Sequence, residues 1–186
     1  MSQLRDEAEA LARALETGLC GVAEAVSWSD CQILREESPP ANICEVAISH
    51  DRYPQDVAAL LRKCPGVPVN SRVQHLFALL AREKLRQNPD CAYGVAWALY
   101  QMAFLDEIED SELRSIAWWA WDALDLADAG HILESREQII EQMAAALDDA
   151  TRSDVAGWAT EFADRTNANL SYPGNPSSPQ IENPER

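Results

Sequence analysis

Three histidines (His50, His75, His131) and five cysteines (Cys20, Cys31, Cys44, Cys64, Cys91) are the residues best suited to hold a metal or attack an electrophile. Their spacing serves neither purpose. The cysteines stand 11, 13, 20 and 27 residues apart, so no C-x-x-C pair signals a zinc site, and their odd number signals no disulfide framework. They read as free thiols in a reducing cytoplasm. H-E-x-x-H, the Walker lysine loop, G-x-S-x-G and G-x-G-x-x-G are all missing from the chain. Cys64 follows Arg62 and Lys63, which favour a thiolate, but it sits at an expected helix C-terminus, where the dipole opposes one. Cys44 and His50, six residues apart, fall on different helix faces.

Carboxylates are far more numerous. Asp122, Asp125 and Asp128 recur every third residue, yet each such step turns a helix by about 60° from its neighbour, so the three fan out instead of converging on a metal. The run Asp106, Glu107, Glu109, Asp110, Glu112 lacks the glycine and ligand spacing of a calcium loop; it reads as a helix connection whose acids suit the start of the next helix. Arg72, His75, Arg82 and Arg86 line one side of helix 71–87. Such a stripe can hold phosphate, but in so acidic a chain it reads better as a solvated face or an internal partner for the acids. The expectation is no catalytic residue, no cofactor and no metal.

With 31 Asp+Glu against 15 Lys+Arg, the 186-residue chain carries a net charge of −16, which opposes sequence-independent binding to nucleic acid or anionic lipid. Residues 1–100 hold 10 basic and 13 acidic side chains; residues 101–186 hold 5 and 18. The excess therefore belongs to the C-terminal part, where three of the six tryptophans also crowd one helix: Trp118, Trp119 and Trp121. On that helix Leu113, Ala117, Ala120 and Leu124 mark the core side. Trp121 lies about 80° from it and can be buried; Trp118 and Trp119 lie about 140° and 120° away on opposite flanks. Either further helices cover these rings or an indole is exposed among carboxylates, a setting suited to an incoming Arg or Lys.

The leading expectation is a protein-binding module that neutralises or chaperones a basic protein, in the physical manner of small acidic immunity proteins, antitoxins and inhibitors. The partner-binding residues expected are Trp118, Trp119, Asp122, Asp125, Asp128, Asp106, Glu107, Glu109 and Asp110. Two alternatives are a nucleic-acid mimic and a ligand-binding or enzymatic bundle, its pocket lined by Trp97, Tyr100, Trp118 and Trp121 with His75 or His131.

The elements that position these residues are helical. Alanine and leucine number 48, whereas valine, isoleucine and threonine number 22. Apolar spacing predicts a first helix marked by Leu4, Ala8, Leu11, Leu15 and Val22. A second starts at Ser29 or Asp30 and stops at Pro39-Pro40, a short third lies within 41–50, and a fourth runs from Pro54 to about Cys64. Helix 71–87 follows, then 91–106, which is apolar nearly all round and is expected at the bundle centre. Helix 111–129 should end at Gly130, and Ser135 to Gln138 form a capping box for 136–149. A last helix is expected from Thr151 or Ser153 to about Asp164. No self-similar repeat appears. The result is an all-α, irregular multi-helix bundle of about 7–8 helices over 1–166, with a flexible Pro/Ser/Asn-rich tail over 167–186. No charge-free stretch is long enough to cross a bilayer; the longest, residues 91–105, contains Gln101. The N-terminus has neither a basic n-region nor an apolar h-region, so a cytoplasmic location is expected.

Overall fold

The computed structural model describes residues 2–152, 162 and 164–166. Among them are eight α-helices and no strand: α1 (Ser2–Glu16), α2 (Val22–Arg35), α3 (Ala41–Ala47), α4 (Pro54–Leu61), α5 (Asn70–Gln87), α6 (Ala92–Phe104), α7 (Ser111–Asp128) and α8 (Arg136–Ala150). The expected last helix falls mostly outside the described residues, although Phe162 and residues 164–166 are helical. The expected tail, 167–186, lies wholly outside them.

Local signals set most boundaries. Pro54 opens α4, where its missing N–H leaves no intrahelical bond unmade. Asp110 caps α7 by accepting the Leu113 N–H at 2.7 Å. Ser135 and Gln138 form the reciprocal capping box of α8, at 3.3 and 2.8 Å. Gly130 follows α7 with φ +70°, a left-handed conformation that costs glycine little. Two expectations fail at the N-terminal end. The first helix stops at Glu16, and Val22 begins α2 instead of extending α1. The chain reverses through Gly18, at φ +73°, and Glu24 accepts the Gly21 N–H at 3.1 Å.

The helix at the centre is also not the one expected. In α6, Trp97 and Phe104 are exposed, so its uniform apolarity does not place it inside. The buried helix is α1: every residue from Arg5 to Leu15 is buried except Arg13, which is half-buried. Alanines at 8, 10, 12 and 14 are fully buried, and such small side chains let α4 and α5 approach closely. Around this centre α2 packs on α3 and α6 on α7. Beyond them α7 packs on α8, which returns to α5. The core of this shell is Leu76, Leu99, Met102, Leu124, Ile139 and Met143, each worth roughly 1.5–3 kcal/mol when fully buried.

Burying α1 also buries charge, and each carboxylate on it is matched. Glu7 accepts hydrogen bonds from Trp28 Nε1 at 2.7 Å, Gln32 Nε2 at 2.9 Å and Arg165 Nη2 at 2.7 Å. Asp6 accepts the N–H of Val69 at 2.7 Å, which ties α1 to the residue just before α5, a helix with no side-chain cap of its own. Glu9 bonds Arg5 at 2.9 Å and lies 3.3 Å from Arg62 and 3.4 Å from Arg13. Burial alone would raise the Glu9 carboxyl, but the Arg5 hydrogen bond and the charges of Arg62, Arg5 and Arg13 outweigh it and hold the pKa below its ordinary 4.5.

Two predictions follow from these contacts. Glu7→Ala removes the buried acceptor shared by Trp28, Gln32 and Arg165, and urea denaturation should show a loss of about 3–5 kcal/mol. Because Glu9 titrates lower folded than unfolded, its contribution is complete above the unfolded value near 4.5 and fades as pH falls below it. Glu9→Gln should therefore be less stable than wild type at neutral pH, with the gap narrowing in melts taken at successively lower pH. A gap that stays constant with pH would contradict the assignment.

Candidate functional site

On α6, Trp97, Tyr100 and Phe104 recur at steps of three and four and form one stripe. On α7, Trp118 and Trp121 form a second. Packing of α6 on α7 brings the two stripes together. Trp97 stacks on Tyr100 with centroids 5.5 Å apart, and Tyr100 stacks on Phe104 at 6.3 Å. Trp118 meets Tyr100 edge-on at 5.3 Å, and Trp121 lies 5.2 Å from Trp97 and 5.9 Å from Tyr100. These offset and edge-on arrangements are the favourable ones for aromatic quadrupoles.

The cluster faces outward. Phe104 is 68% exposed, Trp118 47%, Trp121 40% and Trp97 39%, and the adjoining Leu105 is exposed as well. Trp118 thus lies where its helical angle placed it. Trp121, expected to be buriable, is exposed, on the flank where α7 meets α6 and beside the Trp97 and Tyr100 rings. Trp119 takes the opposite outcome and packs, half-buried, against the core. The three rings that the aromatic-pocket alternative grouped with Trp118 do converge on it, but on an exposed surface. His75 instead helps line an open cleft of about 350 Å³ with Ser71, Gln74, Glu109 and Asp110, and His131 is exposed just after α7.

The expected carboxylates divide into two sets. Asp122 and Asp125 are exposed on α7, the helix that carries Trp118 and Trp121. Asp128 is also exposed and pairs with Arg136 at 3.1 Å; that guanidinium lies 5.5 Å above the Tyr93 ring. Desolvation and the carboxylates of Asp128 and Asp125 push the Tyr93 phenol above its ordinary value. The acids before α7 are tied into the fold. Asp106, at φ 56°, lies 3.4 Å from Arg114, which also donates to the Ile108 carbonyl. Glu107 lies 3.5 Å from Arg13, Glu109 accepts from Asn70 at 3.0 Å, and Asp110 is the α7 cap. Phosphate mimicry needs a row of free carboxylates, and this second set weighs against it.

Cys64 and the arginines of α4 and α5 have structural partners. Cys64 is buried beside Asn42 Nδ2 at 3.1 Å, and burial pushes its thiol up, opposed by that hydrogen bond and by Arg5. All five cysteines are free. Arg62 is held by Glu16 and Glu9, Arg72 by Asp6, Arg82 by Asp148 and Arg86 by Glu83. Among the described residues no group of three or more His, Cys, Asp or Glu side chains is placed to hold a metal ion, and no helix is long and apolar enough to cross a membrane.

Sequence reasoning placed Trp97 and Tyr100 only in the pocket alternative and missed Phe104 altogether; Trp97 and Phe104 are exposed and Tyr100 is half-buried between them. Their i, i+3, i+7 spacing was the available signal, masked because the rest of α6 is apolar too. Comparison with protein-family models, with curated proteins and with solved structures finds no match.

Exposed indoles beside Asp122 and Asp125 stand in a negative local field, which concentrates cations and excludes anions. Fluorescence quenching at low salt should therefore be stronger with caesium than with iodide. Trp118→Phe with Trp121→Phe should remove most of the difference. Equal quenching by the two ions would contradict such a field.

Proposed function

We propose that this chain is a protein-binding module that engages a basic protein through the ring cluster of α6 and α7 and the carboxylates of α7. The observation that carries the reading is the exposure of Trp97, Phe104, Trp118 and Trp121 in one contiguous patch. Leaving such rings in water forgoes a large burial free energy, and contiguous exposed apolar patches mark interaction surfaces.

The chemistry around the patch favours a cationic occupant. Aromatic faces attract guanidinium and ammonium groups, and Asp122 and Asp125 offer charge-assisted hydrogen bonds on the same helix. The net charge of −16 adds long-range attraction that speeds encounter with a basic surface and slows it with an acidic one. Tryptophan at the centre and charge at the rim is a common division of labour in protein interfaces. Neutralising or chaperoning the partner follows where the rings and acids cover its cationic working surface, and the immunity-protein or inhibitor role belongs to this proposal.

The test is differential capture from lysate at low salt, comparing wild type with Trp118→Ala/Trp121→Ala and with Asp122→Asn/Asp125→Asn. Basic proteins should be retained by wild type and eluted by salt, and lost with the first variant. For a captured partner, Trp118→Ala should weaken binding by roughly 2 kcal/mol, about 30-fold. The Asn variant should lower the association rate and its salt dependence more than the dissociation rate. Recovery of the same proteins by all three baits would overturn the proposal.

A further inference from the structure

The seam between α6 and α7 already holds one cation of the chain's own. Arg136, at the start of α8, lays its guanidinium 5.5 Å from the centre of the Tyr93 ring of α6 and pairs with Asp128 of α7 at 3.1 Å. A guanidinium within about 6 Å of a ring centroid is attracted by the ring quadrupole, and a carboxylate at its edge adds charge-assisted hydrogen bonds. One end of the seam therefore seats a guanidinium between a ring from α6 and an aspartate from α7.

The same pairing recurs one helical turn along. Trp97 follows Tyr93 by four residues on α6, and Asp125 precedes Asp128 by three on α7. The two helices run antiparallel, Trp97 meeting Trp121 and Tyr100 meeting Trp118, so both steps lead in the same direction. Asp125 also stands four residues after Trp121, on the same face of α7. Desolvation, and then the carboxylates of Asp128 and Asp125, raise the Tyr93 phenol, which sets both acids close to the α6 stripe. The occupants differ. Asp128 has Arg136, whereas among the described residues no Lys or Arg pairs with Asp122 or Asp125.

We propose that this second seat, formed by Trp97, Trp121 and Asp125, takes an arginine side chain of the basic partner in preference to a lysine. The inference rests on the proposed docking of a basic protein and names the group that the surface recognises. A guanidinium is planar and weakly hydrated, so it can lie on an indole while its N–H edge reaches a carboxylate. An ammonium is a strongly hydrated point charge and keeps more of its water at an exposed site. The rings are open to an incoming group and held in place. Trp97 and Trp121 are both exposed, they pack against each other at 5.2 Å and 54°, and Tyr100 stacks on Trp97 from the other side of the stripe at 5.5 Å. Rings already fixed lose little entropy when a cation arrives. The incoming arginine lies about 5–6 Å along the seam from Arg136, one helical turn, and Asp128 offsets the charge of that neighbour.

The test titrates the full chain into fluorescein-labelled hexaarginine and hexalysine at low salt, read by anisotropy. The two peptides carry the same charge, so a general acidic field binds them alike. Hexaarginine should bind about 3- to 5-fold tighter. Trp97→Leu and Asp125→Asn should each bring that ratio close to one. Glu141→Gln, on the exposed side of α8, removes the same single charge and should weaken both peptides equally, leaving the ratio intact. Asp125 is exposed, so its Asn variant should fold as wild type does and carries the test by itself if Trp97→Leu loosens the helix pair. Equal affinity for the two peptides would overturn the arginine preference. A preference that survives Asp125→Asn would overturn the seat. Either failure leaves capture of a basic protein from lysate untouched, and failure of that capture leaves the peptide ratio to be read independently.

Discussion

The fold depends on three closely spaced carboxylates of α1, Asp6, Glu7 and Glu9, being buried and each being satisfied by a different set of partners. Asp6 holds the start of α5, Glu7 joins α2 to the C-terminal helical residues through Trp28, Gln32 and Arg165, and Glu9 gathers Arg5, Arg13 and Arg62. A buried charge is expensive, so each forces its partners to specific positions. Apolar contacts supply most of the stabilisation but tolerate sliding. These ion pairs and hydrogen bonds tolerate much less, and they give an alanine-rich, loosely specifying core its register.

This arrangement explains how the molecule carries large rings on its surface. With α1 filling the centre by alanine packing and paired charge, α6 and α7 are displaced outward and pack against each other. Small residues of α6 (Ala92, Ala96, Ala98, Ala103) meet the interior, while its aromatic stripe runs along the outside. Ring-on-ring contact then gives the stripe partial cover and a rigid geometry. A rigid aromatic surface loses less entropy on binding than mobile side chains would, which suits it to recognition.

The acids are likewise not one uniform coat. Those before α7 hold the helix start and brace α1 and α5, through Arg13 and Asn70. Asp122 and Asp125 point to solvent beside the rings. Net charge alone does not separate these roles. The same −13 over residues 101–186 contains structural caps, ion-pair partners and surface carboxylates.

Much of this was legible from residue types and spacing, because helix signals act over a few residues. The all-α class, the caps at Asp110 and Ser135, the stop at Gly130 and the outward position of Trp118 all rest on local rules of period and termination, whereas α2 ends at Arg35, before the Pro39-Pro40 pair expected to stop it. What periodicity could not reveal was which helix would be central. A hydropathy pattern ranks α6 above α1, but burial also depends on side-chain size and on whether distant arginines and amides arrive to satisfy carboxylates. Those partners lie between 4 and 158 residues away from the acids they serve. Only their assembly in three dimensions decided that a charged helix goes inside and an aromatic stripe stays out.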